Sequence, residues 1–187
     1  MNWFYSRWPA AALSMGIVLL LLAPTWSLAL LVIYLQLPIY LLHQLEEHVD
    51  HRFRTLVHQR IFGGAEPLTP MAILVINLPG VWGLSLACLY AAIFVGVGWG
   101  LTAVYLVVLN GVTHVVAAVA SRACNPGLWT SIALFLPVGG LALRVVSAAP
   151  GVMAVHHTVG IAIALAIHIA IVVYARVRTG RLQTARA

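Results

Sequence analysis

Within nine residues, His43-Gln44-Leu45-Glu46-Glu47-His48-Val49-Asp50-His51, the chain places three of its four acids and three of its eight histidines. On a helix turning about 100° per residue, His43, Glu46, Glu47, Asp50 and Arg54 gather on one face, and His48 turns away from it. A histidine and a glutamate four residues apart can reach one cation, as paired ligands on metalloenzyme helices do. Two adjacent carboxylates can also divide the work, one ligating while the other takes a proton. The plainer alternative is a wet helix end laced by i,i+4 ion pairs, which is the expectation for Asp50 with Arg54.

Depth weighs against that alternative for His43 and the glutamates. Taking Arg52 as the inner boundary, His43 lies ~13 Å into the membrane at about 1.5 Å per residue. His114 lies at a similar remove from Arg122, His168 from Arg176, and Asn77 from Pro70. Four helices therefore place a histidine or an asparagine at nearly one level, which points to one site. Asn110 and His114 are also four apart and share a face. Asn110 suits the second nitrogen of a ligating imidazole or a substrate carbonyl. The competing role for both is interhelical glue, ~0.6–2 kcal/mol. His157 shares a helical stripe with His168 and lies toward the outer surface, level with Arg144. Both are further candidates.

The elements that hold these residues must be membrane helices. Of 187 residues, 63% are hydrophobic and 7% charged, against roughly 45–50% and 25% in a soluble domain. At ~20 residues per span, the expected architecture is an all-α, polytopic transmembrane helix bundle. It forms one domain over residues 1–187, with six spans at 9–23, 26–46, 71–98, 101–121, 128–146 and 155–174. Pro38 is expected to kink the second span. Pro79-Gly80 leaves open whether Met71–Gly100 is one broken span or a half-helix plus a span. The apolar stretch after Arg7 has the layout of a signal peptide, but the pattern resumes at once after Pro24, so a retained span is expected. The net charge of +6 comes from ten arginines and four acids. With both termini cytoplasmic, every arginine except Arg144 falls inside. This is the pattern of an integral protein of a bacterial inner membrane and not of a nucleic-acid binder. Arg144 is either a snorkelling side chain or a partner for a buried group. Cys88 and Cys124 give no disulfide framework.

The run His43-Gln44-Leu45-Glu46-Glu47 resembles the motif that names the HXXEE family of small integral membrane proteins. Asn110-Gly111-Val112-Thr113-His114 is similar to a later Asn-x-x-x-His element of the same family, and size and span number fit as well. The resemblance implies a membrane enzyme with metal dependence as one option and no assigned reaction. It carries over His43, Glu46, Glu47, Asn110 and His114 as site candidates. Whether His48, Asp50 and His51 belong to the site stays open.

The leading expectation is a metal-dependent intramembrane enzyme. His43, His114 and a carboxylate from Glu46 or Glu47 would hold a divalent metal, zinc favoured over iron, with His168 able to join. Three protein ligands and an open position suit catalytic zinc, and the spare glutamate would act as general base. The expected substrate is apolar or amphipathic, drawn from membrane lipids or from small molecules dissolved among them. Hydrolysis of a lipid-like ester, amide or ether leads. A non-haem iron oxidoreductase is the alternative enzyme. Two irons want about four carboxylates and two Glu-x-x-His pairs, whereas one iron accepts two histidines and a carboxylate. A proton- or metal-coupled transporter would also use intramembrane histidine and glutamate, although the chain lacks the internal repeat common in transporters. A structural subunit glued by its polar residues is the remaining reading.

Overall fold

A computed structural model describes residues 26–48 and 52–185, and every regular element among them is helical. The expected span at 9–23 lies outside the described residues, as do Arg7, Asp50, His51 and Arg186. In chain order the elements are α1 (Leu28–His48), a short α2 (Arg52–Leu56), α3 (Pro70–Phe94), α4 (Leu101–Ser121), α5 (Leu128–Ser147) and α6 (Ala154–Thr184). All but α2 belong to segments long and apolar enough to cross a membrane. Twenty residues of helix rise about 30 Å, the thickness of the hydrocarbon core.

Local sequence explains how each helix starts and bends. The Thr69 hydroxyl accepts the Ala72 N–H at 3.1 Å, and Pro70 fills the first helical position, where a missing N–H costs nothing. Met71–Gly100 holds one spanning helix, α3, which passes through Pro79-Gly80 by widening to π-helical turns over Leu78–Gly83. Proline deletes a hydrogen bond and crowds the preceding turn, and a wider turn absorbs both without ending the helix. A 3-10 turn, Val97–Gly100, then leads into α4. Helix α1 continues through Pro38. Helix α6 extends past the apolar stretch to Thr184 and carries Arg176, Arg178 and Arg181 on its tail.

Without a solvent-driven force between helices in lipid, small residues let backbones approach. Helix α6 packs along α4 at Gly160, where an added Cβ would meet the Tyr105 ring at 3.0 Å and the Thr102 nitrogen at 3.2 Å. One apolar core joins Val32, Ile33 and Tyr34 of α1 to Val104 of α4 and Val146 of α5. A second, beneath the polar end, joins Tyr40, Leu106, Val107, Phe135 and Ala164. The first half of α3 meets α6 around Ala175 and otherwise leaves a groove between the two helices. This packing brings the end of α1, the second half of α4 and the start of α5 to one level.

Candidate metal centre

His43 and Glu47 occupy adjacent turns near the end of α1, so helical pitch alone sets them side by side. The His43 Nε2 lies 3.5 Å from Glu47 Oε2. His114 of α4 brings its Nε2 to 3.2 Å from the other carboxylate oxygen, Oε1. All three residues are buried, and one donor atom from each lies within 4.8 Å of the others. Ligands ~2.0–2.2 Å from a tetrahedral ion stand ~3.3–3.6 Å apart; the two separations run to different oxygens of one carboxylate and lie close to that range, so the group could hold a metal ion as well as a shared proton.

The surrounding hydrogen bonds fix which nitrogen of each ring carries the proton. The Thr130 hydroxyl donates to Glu46 Oε2 at 2.6 Å. Its oxygen must then accept from His43 Nδ1, 2.8 Å away. Asn125 donates through Nδ2 to the His114 carbonyl at 2.9 Å, which orients its Oδ1 toward His114 Nδ1 at 2.7 Å. Both rings therefore hold a proton on Nδ1 and turn Nε2, the remaining ring nitrogen, toward Glu47. Two acceptor nitrogens and a carboxylate facing one another need a positive charge among them, supplied by an extra proton or by a cation. The outer partners are those that ligating histidines require.

Glu46 faces a different way. It accepts the N–H groups of Trp129 and Thr130 at 3.2 and 2.8 Å, besides the Thr130 hydroxyl. The carboxylate thus caps the N-terminus of α5 from a neighbouring helix, where the macrodipole favours negative charge. Gly127, just before α5, has φ +93° and passes directly over the histidine pair. A Cβ there would lie 2.6 Å from His43 Cε1 and 2.7 Å from His114 Cε1.

A cavity of about 400 Å³ opens beside the cluster, and Glu47, His48, Asn77, Asn110, His114 and His168 supply most of its polar lining. Helices α1, α3, α4 and α6 thus bring the residues read at one depth to a common space, with His43 enclosed directly behind Glu47. Asn110 donates to the Tyr40 hydroxyl at 3.0 Å and holds its Nδ2 3.2 Å from His43 Nε2. His168 donates from Nδ1 to the Ala164 carbonyl at 2.8 Å, which leaves its Nε2 as an acceptor. It stands on the cavity wall outside the three-residue set. Asn77 is held by Gln44 at 2.7 Å, and Gln44 in turn accepts from the Trp82 indole at 2.8 Å. His157 instead meets the Tyr105 hydroxyl at 2.8 Å, nine residues before His114 on α4 and so ~13 Å along the helix. Arg144 is exposed, fourteen residues beyond Thr130 along α5, ~21 Å by helical rise. Arg54 pairs with Glu66 in the loop before α3; Asp50, its expected partner, lies outside the described residues.

Three residues of the site escaped the sequence reading, and a fourth, His48, was left open by it. His48 was expected to point elsewhere, yet its Nε2 lies 3.8 Å from Glu47 Oε2 and 3.4 Å from Asn77 Nδ2. As the last residue of α1 it packs against Phe53 of α2, a contact that no helical projection of α1 contains. Asn125 and Gly127 read only as a turn signal, and Thr130 gave no signal. Their roles arise from contacts across 83 or more positions to α1, or 11 back to α4.

A family described as proteins of unknown function with an HXXEE motif matches residues 34–142, more than half of the chain. The matched stretch holds His43, Glu46, Glu47, Asn110, His114, Asn125 and Thr130 and ends before α6. Among curated proteins and among solved structures, no match was found.

Proposed function

The chain belongs to the HXXEE-motif family, and from that premise and the site we propose a metal-dependent membrane hydrolase acting on a lipid-like substrate. One observation carries the reading: two imidazoles, each held through Nδ1–H by a neighbouring oxygen, converge through Nε2 on a carboxylate at the wall of a largely apolar cavity. His43, Glu47 and His114 would hold the metal, with zinc favoured over iron. When bound, the metal would supply Lewis acidity, polarising a carbonyl and making water a better nucleophile.

The chain's own residues would do the rest. Apolar side chains such as Ile73, Leu106 and Ile167 line the cavity and would bind the acyl part while excluding bulk water. The Asn110 amide, already a donor at the cavity wall, would orient a substrate carbonyl. His48 and His168 are the histidines on that wall beyond the proposed ligand set, and we assign them proton transfer to and from the reacting group. Glu46 is engaged by three donors, so we give it a holding role on Thr130, and through Thr130 on His43. Both termini would lie in the cytoplasm, with the site toward that face.

The test is elemental mass spectrometry of detergent-purified protein prepared without chelators or a histidine tag, with Glu47→Gln and His114→Ala alongside. About one zinc per chain, lost in both variants while helicity is retained, supports the reading, and lipid-like esters, amides and ethers are then screened for turnover. Iron at the same stoichiometry would replace hydrolysis by oxidation, because two histidines and one carboxylate also suit non-haem iron. A wild-type protein that binds no metal after reconstitution would overturn the proposal and send the question to proton-coupled transport in proteoliposomes.

A further inference from the structure

We propose that the groove between α3 and α6 is a lipid-binding site for a single-chain amphiphile with an anionic head group, held at Arg178 with its chain directed to the catalytic cavity. The groove has a volume of about 510 Å³, with walls from Met71, Val75 and Ile76 of α3 and from Ala170 and Ile171 of α6. Ile76 and Ile171 also line the cavity beside Glu47. The two spaces therefore share one wall of two branched aliphatic side chains, and each falls in the ~300–1,000 Å³ range of small-molecule sites.

The charge at the groove's end decides the head group. Arg178 Nη1 donates to the Tyr174 hydroxyl at 3.2 Å, and its Nε is buried without a hydrogen-bond partner. Among the described residues no carboxylate pairs with Arg178. A guanidinium N–H buried without a partner is costly, and an anion at the same guanidinium offsets that cost. Its planar fork suits a carboxylate or a phosphate. Apart from the Thr69 and Tyr174 hydroxyls the walls are apolar, so a free anion gains the guanidinium and little else, whereas an anionic amphiphile also buries its chain. Arg178 lies ten residues beyond His168 on α6, ~15 Å of helical rise, and helical side chains lean back toward the N-terminus, here toward the cavity. An amphiphile fixed at Arg178 thus directs its chain to the wall formed by Ile76 and Ile171.

The inference rests on the proposed hydrolase only in treating the groove as the route by which amphiphiles reach the cavity; binding is measured without metal or turnover. Chelator-treated protein in nanodiscs of neutral phosphatidylcholine would be labelled with a fatty acid carrying a photoreactive diazirine near its methyl end, and the cross-linked peptides mapped. Labelling is expected on 70–77 of α3 and 167–178 of α6, and also on the cavity-lining part of α4. Arg178→Gln should lower it about tenfold or more, the loss expected for a hydrogen bond to a charged group, and Arg178→Lys should keep most of it. A monoacylglycerol with the same chain should label as weakly as the glutamine variant. Ile171→Trp should abolish labelling on α4 and spare the groove peptides. Labelling spread evenly over all lipid-facing helices, or insensitive to Arg178→Gln or to head-group charge, would overturn the proposal. Metal content measured on untreated samples of the same protein separates the two readings. Groove labelling without metal leaves the groove and removes the hydrolase, and metal with scattered labelling does the reverse.

Discussion

Replacing Gly127 with alanine tests the geometry of the centre without touching a ligand. The residue has φ +93°, where an L side chain costs about 1–3 kcal/mol. The larger effect is steric. The new methyl would lie 2.6 Å from His43 Cε1, 2.7 Å from His114 Cε1 and 3.0 Å from His114 Nδ1. Restoring an ordinary carbon contact of about 3.5 Å requires a relative movement of nearly 1 Å. Cε1 lies between the two ring nitrogens, so a ring that yields carries Nε2 away from Glu47 and Nδ1 away from its hydrogen-bond partner. A metal site tolerates about ±0.2 Å in its ligand distances. If the rings take up most of the movement, metal affinity should fall at least as far as the 10–100-fold seen when outer-shell partners are lost. If the loop takes it up instead, the cost appears as stability.

Competition titration against a chromophoric chelator in detergent measures the first outcome, and thermal melting by circular dichroism the second. Gly151→Ala is the matched control, because that residue also has a left-handed φ, +80°, and nothing lies within 4 Å of a Cβ there. Gly127→Ala with both affinity and melting temperature equal to wild type would show that the loop does not press on the histidine pair, and the described geometry would be wrong.

The outer partners give a second expectation: Thr130→Val keeps the shape but removes the acceptor of His43 Nδ1–H, and Asn125→Leu does the same for His114. Each should weaken metal binding by about 10–100-fold in the same titration. Metal binding should also weaken as pH is lowered from about 7.5 to about 5.5, because imidazole and carboxylate ligands must be free of protons to bind; pH-independent affinity would argue against histidine ligands. Outside the membrane spans, His58 faces the Leu68 carbonyl at 3.2 Å, and burial, aided by the positive charge of Arg54, pulls its pKa below the ordinary histidine value. A histidine with a depressed folded pKa supports the fold above its unfolded pKa, and that support is lost as pH falls through the folded value. Limited proteolysis within 62–69 should therefore speed up on acidification, and His58→Gln should flatten the dependence.

How much of this could be read from the sequence follows from where each interaction is encoded. His43 with Glu47, and Asn110 with His114, are i,i+4 pairs, so one helical turn fixes each pair before any tertiary contact forms. The depth of Asn77 and His168 was readable because arginines and proline mark helix ends, and rise per residue does the rest. That the two pairs meet depends on the packing of α1, α4 and α5, in which Gly111 lets α4 approach Phe135. A single sequence shows a glycine there and does not show what it faces. Thr130 and Asn125 are ordinary turn and helix-start residues by type. They become hydrogen-bond partners of the histidines only because the α4–α5 loop folds back over α1. Pro79 was ambiguous for a related reason: proline removes one hydrogen bond wherever it stands, and only the surrounding helices decide whether the turn breaks or widens.

The two glutamates of the motif show how little the residue type alone decides. Consecutive helical positions differ by about 100°, so Glu46 and Glu47 cannot both face His114. Glu47 points inward to the imidazoles, and Glu46 points to the first turn of α5. Neutralising each should therefore have different consequences. Glu46→Gln keeps one acceptor oxygen for the two Thr130 donors but sets an NH2 opposite the Trp129 N–H, so it removes that longer hydrogen bond together with the charge at the helix terminus, worth ~0.3–1 kcal/mol at exposed sites and up to ~2 when partly buried. It should lower thermal stability modestly and keep metal stoichiometry near wild type. Glu47→Gln removes the only anion among the three candidate ligands and leaves the two imidazoles; metal affinity should fall by more than in either outer-partner variant. Circular dichroism and elemental analysis on the same samples separate the effects. Equal metal loss in both variants would mean that the carboxylates share the ion, and the division of labour between them would fail. Loss only in Glu46→Gln would reverse their roles and require Glu46 to leave the α5 terminus, with Trp129 and Thr130 exchanging their acceptor for water.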